Sequence, residues 1–173
     1  MVKEFLSSRQ EPEAFLKHIR PLEGRYNGFN LLVGTLSSLV YYSNRSHETK
    51  VLKPGIYGLS NHLLDTPWPK VVRTRRAFSC AIEGSDQLET DRFMEILHDR
   101  TPAAVEDLPD TGFGIEWERA LSSPFIATPT YGTRASTVLL VDGKGLVRFM
   151  ERSFSGPSDP GSNVYHEFTI KGF

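Results

Sequence analysis

Apolar residues recur at helical spacing over residues 12–19, where Phe15, Leu16 and Ile19 share a face and Pro12 takes a first-turn position. That pattern predicts a short amphipathic helix ending near Pro21. Alternation then takes over. Residues 29–35 and 39–43, joined through Ser37 and Ser38, predict a β-hairpin with two tyrosines in its second strand. Residues 50–52 and 56–60 predict two short strands about the Pro54-Gly55 turn. Helical periodicity returns with Trp68, Val71, Val72, Arg75, Phe78 and Ile82, stopping at Gly84. It repeats over residues 86–98, with Leu88, Phe93, Ile96 and Leu97 on one side and Pro102 beyond the end.

From residue 101 to 135, prolines and glycines break the pattern, leaving only 115–121 for a turn or two of helix. Long irregular stretches inside compact domains often carry function. Residues 137–141 and 146–153 then predict a hairpin closed at Asp142-Gly143-Lys144-Gly145, and 164–170 a last strand. The order sheet, helices, sheet predicts an α+β fold with mainly antiparallel pairing, built as one domain over residues 1–173.

Composition narrows the function. Twenty lysines and arginines against 21 aspartates and glutamates leave a net charge of −1, which argues against nucleic acid as a partner, because binding its phosphates needs a surplus of cations. With 39% hydrophobic and 24% charged residues, the chain lies well away from the signature of disorder. No apolar run approaches the roughly 20 residues of a membrane span, and the start, Met1-Val2-Lys3-Glu4, lacks the pattern of a signal peptide, so a cytoplasmic location is expected. A single cysteine rules out an internal disulfide and every multi-cysteine metal site.

Few residues announce chemistry. Cys80, between Phe78 and Ile82 on a predicted helix, reads as a core residue. Ser60, His62 and Asp65 are too close in sequence to suggest a triad, and the five histidines show no metal-binding spacing, so no metal is expected. Gly112-Phe113-Gly114 reads as an irregular turn, and Glu116 and Glu118, two apart, as a solvated face. Two positions stand out. Asn61, expected at the end of a strand, can donate its amide to an oxyanion or cap a turn; Arg134 can clamp an anion or pair with a surface carboxylate. The Tyr57-Gly58 and Tyr131-Gly132 pairs permit close backbone approach, so Asn61 and Arg134, with Tyr131, are expected to meet at one cleft.

Several segments together carry a family resemblance. Tyr26-Asn27-Gly28-Phe29-Asn30-Leu31, Tyr42-Ser43-Asn44-Arg45, the run from Pro54 to Asn61, Leu64-Asp65-Thr66-Pro67-Trp68-Pro69-Lys70, the run from Tyr131 to Thr137 and Glu151-Arg152-Ser153 resemble the NRDE family, which includes the eukaryotic transport and Golgi organisation protein two. Leu108-Pro109-Asp110-Thr111-Gly112 and Trp117-Glu118-Arg119-Ala120-Leu121-Ser122 resemble bacterial members most. The resemblance implies the four-layer αββα architecture of N-terminal-nucleophile hydrolases. There a leading cysteine attacks an amide with its own α-amine as base, and an asparagine and arginines line the site. By position, Asn61 and Arg134 resemble two of those residues.

Members of that family open with a Met-Cys start and an NRDE segment, so the chain is expected to correspond to the C-terminal two-thirds of a member. Its missing N-terminal region would be its first partner. On its own it is expected to lack amide-hydrolase activity and to be poorly stable or self-associating. Roles attached to the family's eukaryotic members are Golgi organisation, secretion, lipid metabolism and haem mobilisation. They imply a non-enzymatic alternative, a carrier or chaperone of haem or another small hydrophobic ligand. No cofactor other than haem is implied.

Overall fold

Proline has no backbone N–H to offer, which costs nothing in a helix's first turn, and two helices here begin on one. The computed structural model describes residues 1–84 and 88–171. It divides into two compact units, Met1–Asp65 and Thr66–Phe173.

In the first unit, α1 (Val2–Ser7) precedes α2 (Pro12–Ile19), and a 3₁₀ turn over Arg20–Arg25 carries the chain through Pro21. The strands β1 (Asn30–Gly34), β2 (Leu39–Ser43) and β3 (Glu48–Leu52) form an antiparallel sheet in that order. The hairpin turn closes where the Thr35 N–H donates to the Ser38 carbonyl at 2.8 Å. Register places Leu31 opposite Tyr42 and Val33 opposite Val40, which puts all four on one face. Onto that face α2 lays Phe15, Leu16 and Ile19, and the seven residues form a buried core. Full burial of each large apolar side chain is worth about 2 kcal/mol.

The strand expected over residues 56–60 does not form. That segment has no ladder partner among the described residues and folds into a loop instead. The Gly58 N–H donates to Asp65 Oδ1 at 2.8 Å, and the Asp65 N–H donates back to the Gly58 carbonyl at 2.7 Å. A locally satisfied backbone has no need of a neighbouring strand.

The second unit contains α3 (Pro69–Glu83), α4 (Thr90–Leu97), α5 (Ile115–Leu121), β4 (Ala135–Val141), β5 (Leu146–Ser153) and β6 (Ser162–Thr169). The helix expected from Asp86 is present from Thr90; Asp86 itself lies outside the described residues. The strands pair antiparallel in sequence order. Asp142 Oδ1 accepts from the N–H groups of Lys144 and Leu146, and Gly145, at φ 77°, completes the turn that glycine chemistry predicts. Ala81, Phe93 and Met94 from the helices pack with Val138 and Met150. The architecture is therefore mixed helix and antiparallel sheet, as expected.

Cys80 departs from expectation: it is exposed on α3. Only Val71 and Ala81 of that helix are buried. One residue turns a helix by about 100°, so the face that buries Ala81 carries its neighbour away from the core.

Candidate functional site

The irregular stretch from 98 to 134 supplies most of the walls of two clefts in the second unit, and hydrogen bonds fix it. His98 caps the C-terminal end of α4, its N–H donating to the Met94 carbonyl at 3.0 Å. Next to it, Asp99 accepts from the Thr101 N–H at 2.8 Å and lies 2.7 Å from Arg73 Nε, while its carbonyl accepts from the Phe125 N–H at 2.9 Å. Burial pushes the Asp99 carboxyl up, but the Thr101 hydrogen bonds and the Arg73 guanidinium together hold it below its usual range. Ser122 Oγ accepts from the Ala103 N–H and donates to the Arg119 carbonyl; Ser123 Oγ donates to the Phe125 carbonyl.

Phe125, 1% exposed, sits at the centre. The His98 ring lies 4.4 Å from its centroid, Phe154 meets it edge-on at 4.8 Å, and the Arg100 guanidinium stands 4.6 Å over it. Burial, followed by the charges of Arg100 and Arg152, lowers the His98 pKa from 6.5, so the ring is held neutral. Its Nδ1 is buried and has no hydrogen-bond partner among the described residues.

Beyond Phe125 the chain doubles back. Thr133 N–H donates to the Ile126 carbonyl, Thr128 N–H to the Tyr131 carbonyl, and Tyr131 N–H to Thr128 Oγ. A Cβ on Gly132 would meet the Ile126 carbonyl oxygen at 2.9 Å, so the tight closure needs glycine there. Two clefts flank this hairpin and share Phe125 and Thr128. One, of 460 Å³, is lined by Arg100, Pro102, Glu116, Arg119 and Ser123 among others. The second, of 180 Å³, is lined by Tyr131, Arg134, Ile126 and Pro157 among others.

Tyr131 and Arg134 both line the smaller cleft. Both side chains are exposed, Tyr131 meeting Trp117 edge-on at 6.3 Å. Asn61 belongs to the first unit, on a bend rather than at a strand end, because the 56–60 strand does not form. It is exposed, and its loop is pinned: the neighbouring His62 carbonyl accepts from Asn30 Nδ2, while Tyr41 OH donates to Asn30 Oδ1 and accepts from the Leu64 N–H. Nearby, Asp65 caps Gly58. Among the described residues, no three His, Cys, Asp or Glu side chains cluster to hold a metal, and no helix is long and apolar enough to cross a membrane.

A second correction concerns Glu118, expected on a solvated face but only 6% exposed. It accepts from the Thr111 hydroxyl, from the Thr111 N–H at 2.8 Å and from the Phe113 N–H. The Thr111 hydroxyl is the main reason its carboxyl stays below the ordinary range. This fixes the loop in which Gly112 and Gly114 take φ values of 88° and 83°. Lys70 Nζ donates to the Leu121 carbonyl at 2.8 Å and stands 5.7 Å over the Trp68 ring; burial lowers its pKa.

Sequence reasoning missed Arg100, Arg119, His98, Phe125 and Glu118. The one signal was indirect, the length of the irregular stretch.

Comparison with known proteins adds an independent line. The family model described as Transport and Golgi organisation 2 matches residues 1–156. The Transport and Golgi organization protein 2 homolog of Bos taurus is 39% identical across 99% of this chain and 67% of its own length. The Mus musculus homolog is 37% identical with the same coverage, and the Homo sapiens homolog 38% identical across 88% of this chain and 60% of its own. The chain therefore spans about two-thirds or less of the length of these relatives.

Proposed function

The chain belongs to the Transport and Golgi organisation 2 family, and from that premise we propose that it acts as a carrier of a small hydrophobic ligand, within a scaffold of the αββα hydrolase type. One observation carries the reading: the paired clefts around Phe125 combine aromatic and proline walls with arginines that make no ion pair among the described residues. Apolar walls joined with polar groups that orient the ligand are the usual form of a small-molecule site. The hydroxyls of Ser123 and Thr128, which line the larger cleft, both donate to backbone carbonyls, which suits binding better than attack. The word transport in the relatives' names fits a carrier.

Haem is the first probe, followed by visible spectroscopy. The expected result is one saturating Soret shift per chain, weakened by Tyr131→Ala and by Arg134→Gln; both residues are exposed, so these changes spare the fold. A shift that grows without saturating, or that ignores both changes, overturns haem as the ligand.

A second reading is amide hydrolysis by a longer form bearing a leading cysteine. It is favoured by Asn61, whose exposed amide sits on a loop held by Tyr41 and Asn30. A panel of N-acyl amino acids tests it. Turnover by the longer form, lost when its leading cysteine is replaced, supports it; turnover by this chain that survives Cys80→Ala refutes it.

A further inference from the structure

The larger cleft carries an unbalanced charge. Arg100 and Arg119 both line it, and neither makes an ion pair among the described residues. Glu116 lines the same cleft, also unpaired. Two guanidinium charges against one carboxylate leave the cleft with a net charge of +1, by the count 2 − 1.

Arg100 is pre-positioned. Its guanidinium lies over the Phe125 ring, and one of its nitrogens donates to the Pro157 carbonyl at 2.9 Å, which removes much of the freedom an exposed arginine keeps. A guanidinium has five N–H donors, so most remain to be satisfied. Arg119 lies in the last turn of α5, whose end is fixed by the Ser122 hydroxyl on the Arg119 carbonyl. Pro102, Ala120, Phe125 and Ala127 supply the apolar part of the lining, and Ser123 and Thr128 add two hydroxyls that already donate to backbone carbonyls.

We propose that this cleft is a subsite for a monocarboxylate with an apolar tail, its carboxylate gripped by Arg100 and Arg119 and its tail lying along Pro102, Ala120 and Ala127. Arginine forks match a carboxylate in a planar, bidentate way. The net charge selects the head group. A carboxylate brings one negative charge and neutralises the cleft, whereas a phosphate monoester brings about two near pH 7 and meets Glu116 with an excess. The inference rests on the carrier reading for the tail but stands on separate residues for the head.

Calorimetric titration with octanoate, octanol and octyl phosphate tests both parts. Octanoate is expected to bind about tenfold tighter than octanol, the scale of one charge-assisted contact pair. Arg119→Gln removes that advantage by weakening octanoate far more than octanol, while Arg119→Lys restores part of it. Glu116→Gln moves the opposite way, tightening octyl phosphate more than octanoate. Equal binding of octanoate and octanol, or octanoate affinity indifferent to Arg119→Gln, overturns the carboxylate subsite and leaves the carrier reading standing. Octyl phosphate binding tighter than octanoate in the unaltered protein overturns the choice of head group. If octanol and haem both fail to bind while octanoate binds in an Arg119-dependent way, the carboxylate grip stands, and the apolar tail contact and haem as the ligand fall.

Discussion

The two units are built on the same plan, a three-stranded antiparallel sheet with one face covered by a helix, yet they bury different things. In the first, Phe15, Leu16 and Ile19 of α2 meet Leu31, Val33, Val40 and Tyr42, and the buried polar groups are uncharged, on Ser43, Tyr41 and Tyr42. In the second, the apolar cluster around Phe93 and Met150 is accompanied by Glu118, Lys70, His98 and the Asp99–Arg73 pair, each drawn at least partly out of water. Apolar burial supplies stability without directing chemistry. Polar burial costs desolvation and returns fixed geometry, which is what a binding cleft needs. The contrast separates a unit whose described core is mainly apolar from one that also draws charged groups out of water.

The strongest way to break that contrast is to damage the apolar core. Phe15→Ala is expected to cost about 4 kcal/mol, the usual toll of truncating a buried aromatic ring, read from chemical denaturation. A loss under about 1 kcal/mol would mean that α2 contributes little and that the first unit is not the firm one.

Glu118→Ala comes next. It leaves the Thr111 and Phe113 donors without an acceptor and removes a charge that offsets Lys70, for an expected loss of about 3 kcal/mol. The Gly112–Gly114 loop should also become the first site of limited proteolysis. An unchanged digestion pattern would show that this carboxylate does not hold the loop.

Acid sharpens the comparison further, because the described groups with lowered pKa values and buried surroundings lie in the second unit. His98 is held neutral in the fold, with its pKa below 6.5, so its contribution is complete above that value and is lost as pH falls through the folded-state pKa. Glu118 and Asp99 are held ionised, so theirs is complete above the ordinary carboxylate pKa and lost at lower pH still. Denaturation midpoints should therefore fall in two stages on acidification. His98→Gln should abolish the first and spare the second; a first stage that persists in the variant would assign it elsewhere.

The smallest effect belongs to an exposed helical position. Cys80→Ser is expected to change stability by no more than about 0.5 kcal/mol, since it removes no buried contact. A larger loss would return the residue to the core.

Periodicity made most elements legible. The helices over Pro12–Ile19 and Pro69–Glu83 announced themselves by spacing and by a proline at the start, and both hairpins by alternation around a turn. Where the sequence misled, a local hydrogen bond stands in place of a long-range pairing: residues 56–60 have strand-like composition, but Asp65 satisfies the backbone of Gly58 at their centre from within the loop. The cleft was legible only in part. Tyr131 and Arg134 stood in a recognisable motif, but Arg100 and Phe125 become functional candidates only when the chain brings them within 4.6 Å, and no spacing rule encodes that. Glu118 was misread for the same reason. Its burial depends on a loop seven residues away at Thr111, not on the face of its own short helix.

Cys80 has a practical consequence. It is the sole thiol in 173 residues, and it stands in the open on α3. A maleimide dye or nitroxide attached there marks one known point of the molecule, with no rival site and no engineered residue. With Trp68→Phe leaving Trp117 as the one indole donor, such a label gives an optical ruler from α3 to the rim of the aromatic hairpin. Any rearrangement of that hairpin on filling the cleft would then be seen as a change in transfer efficiency.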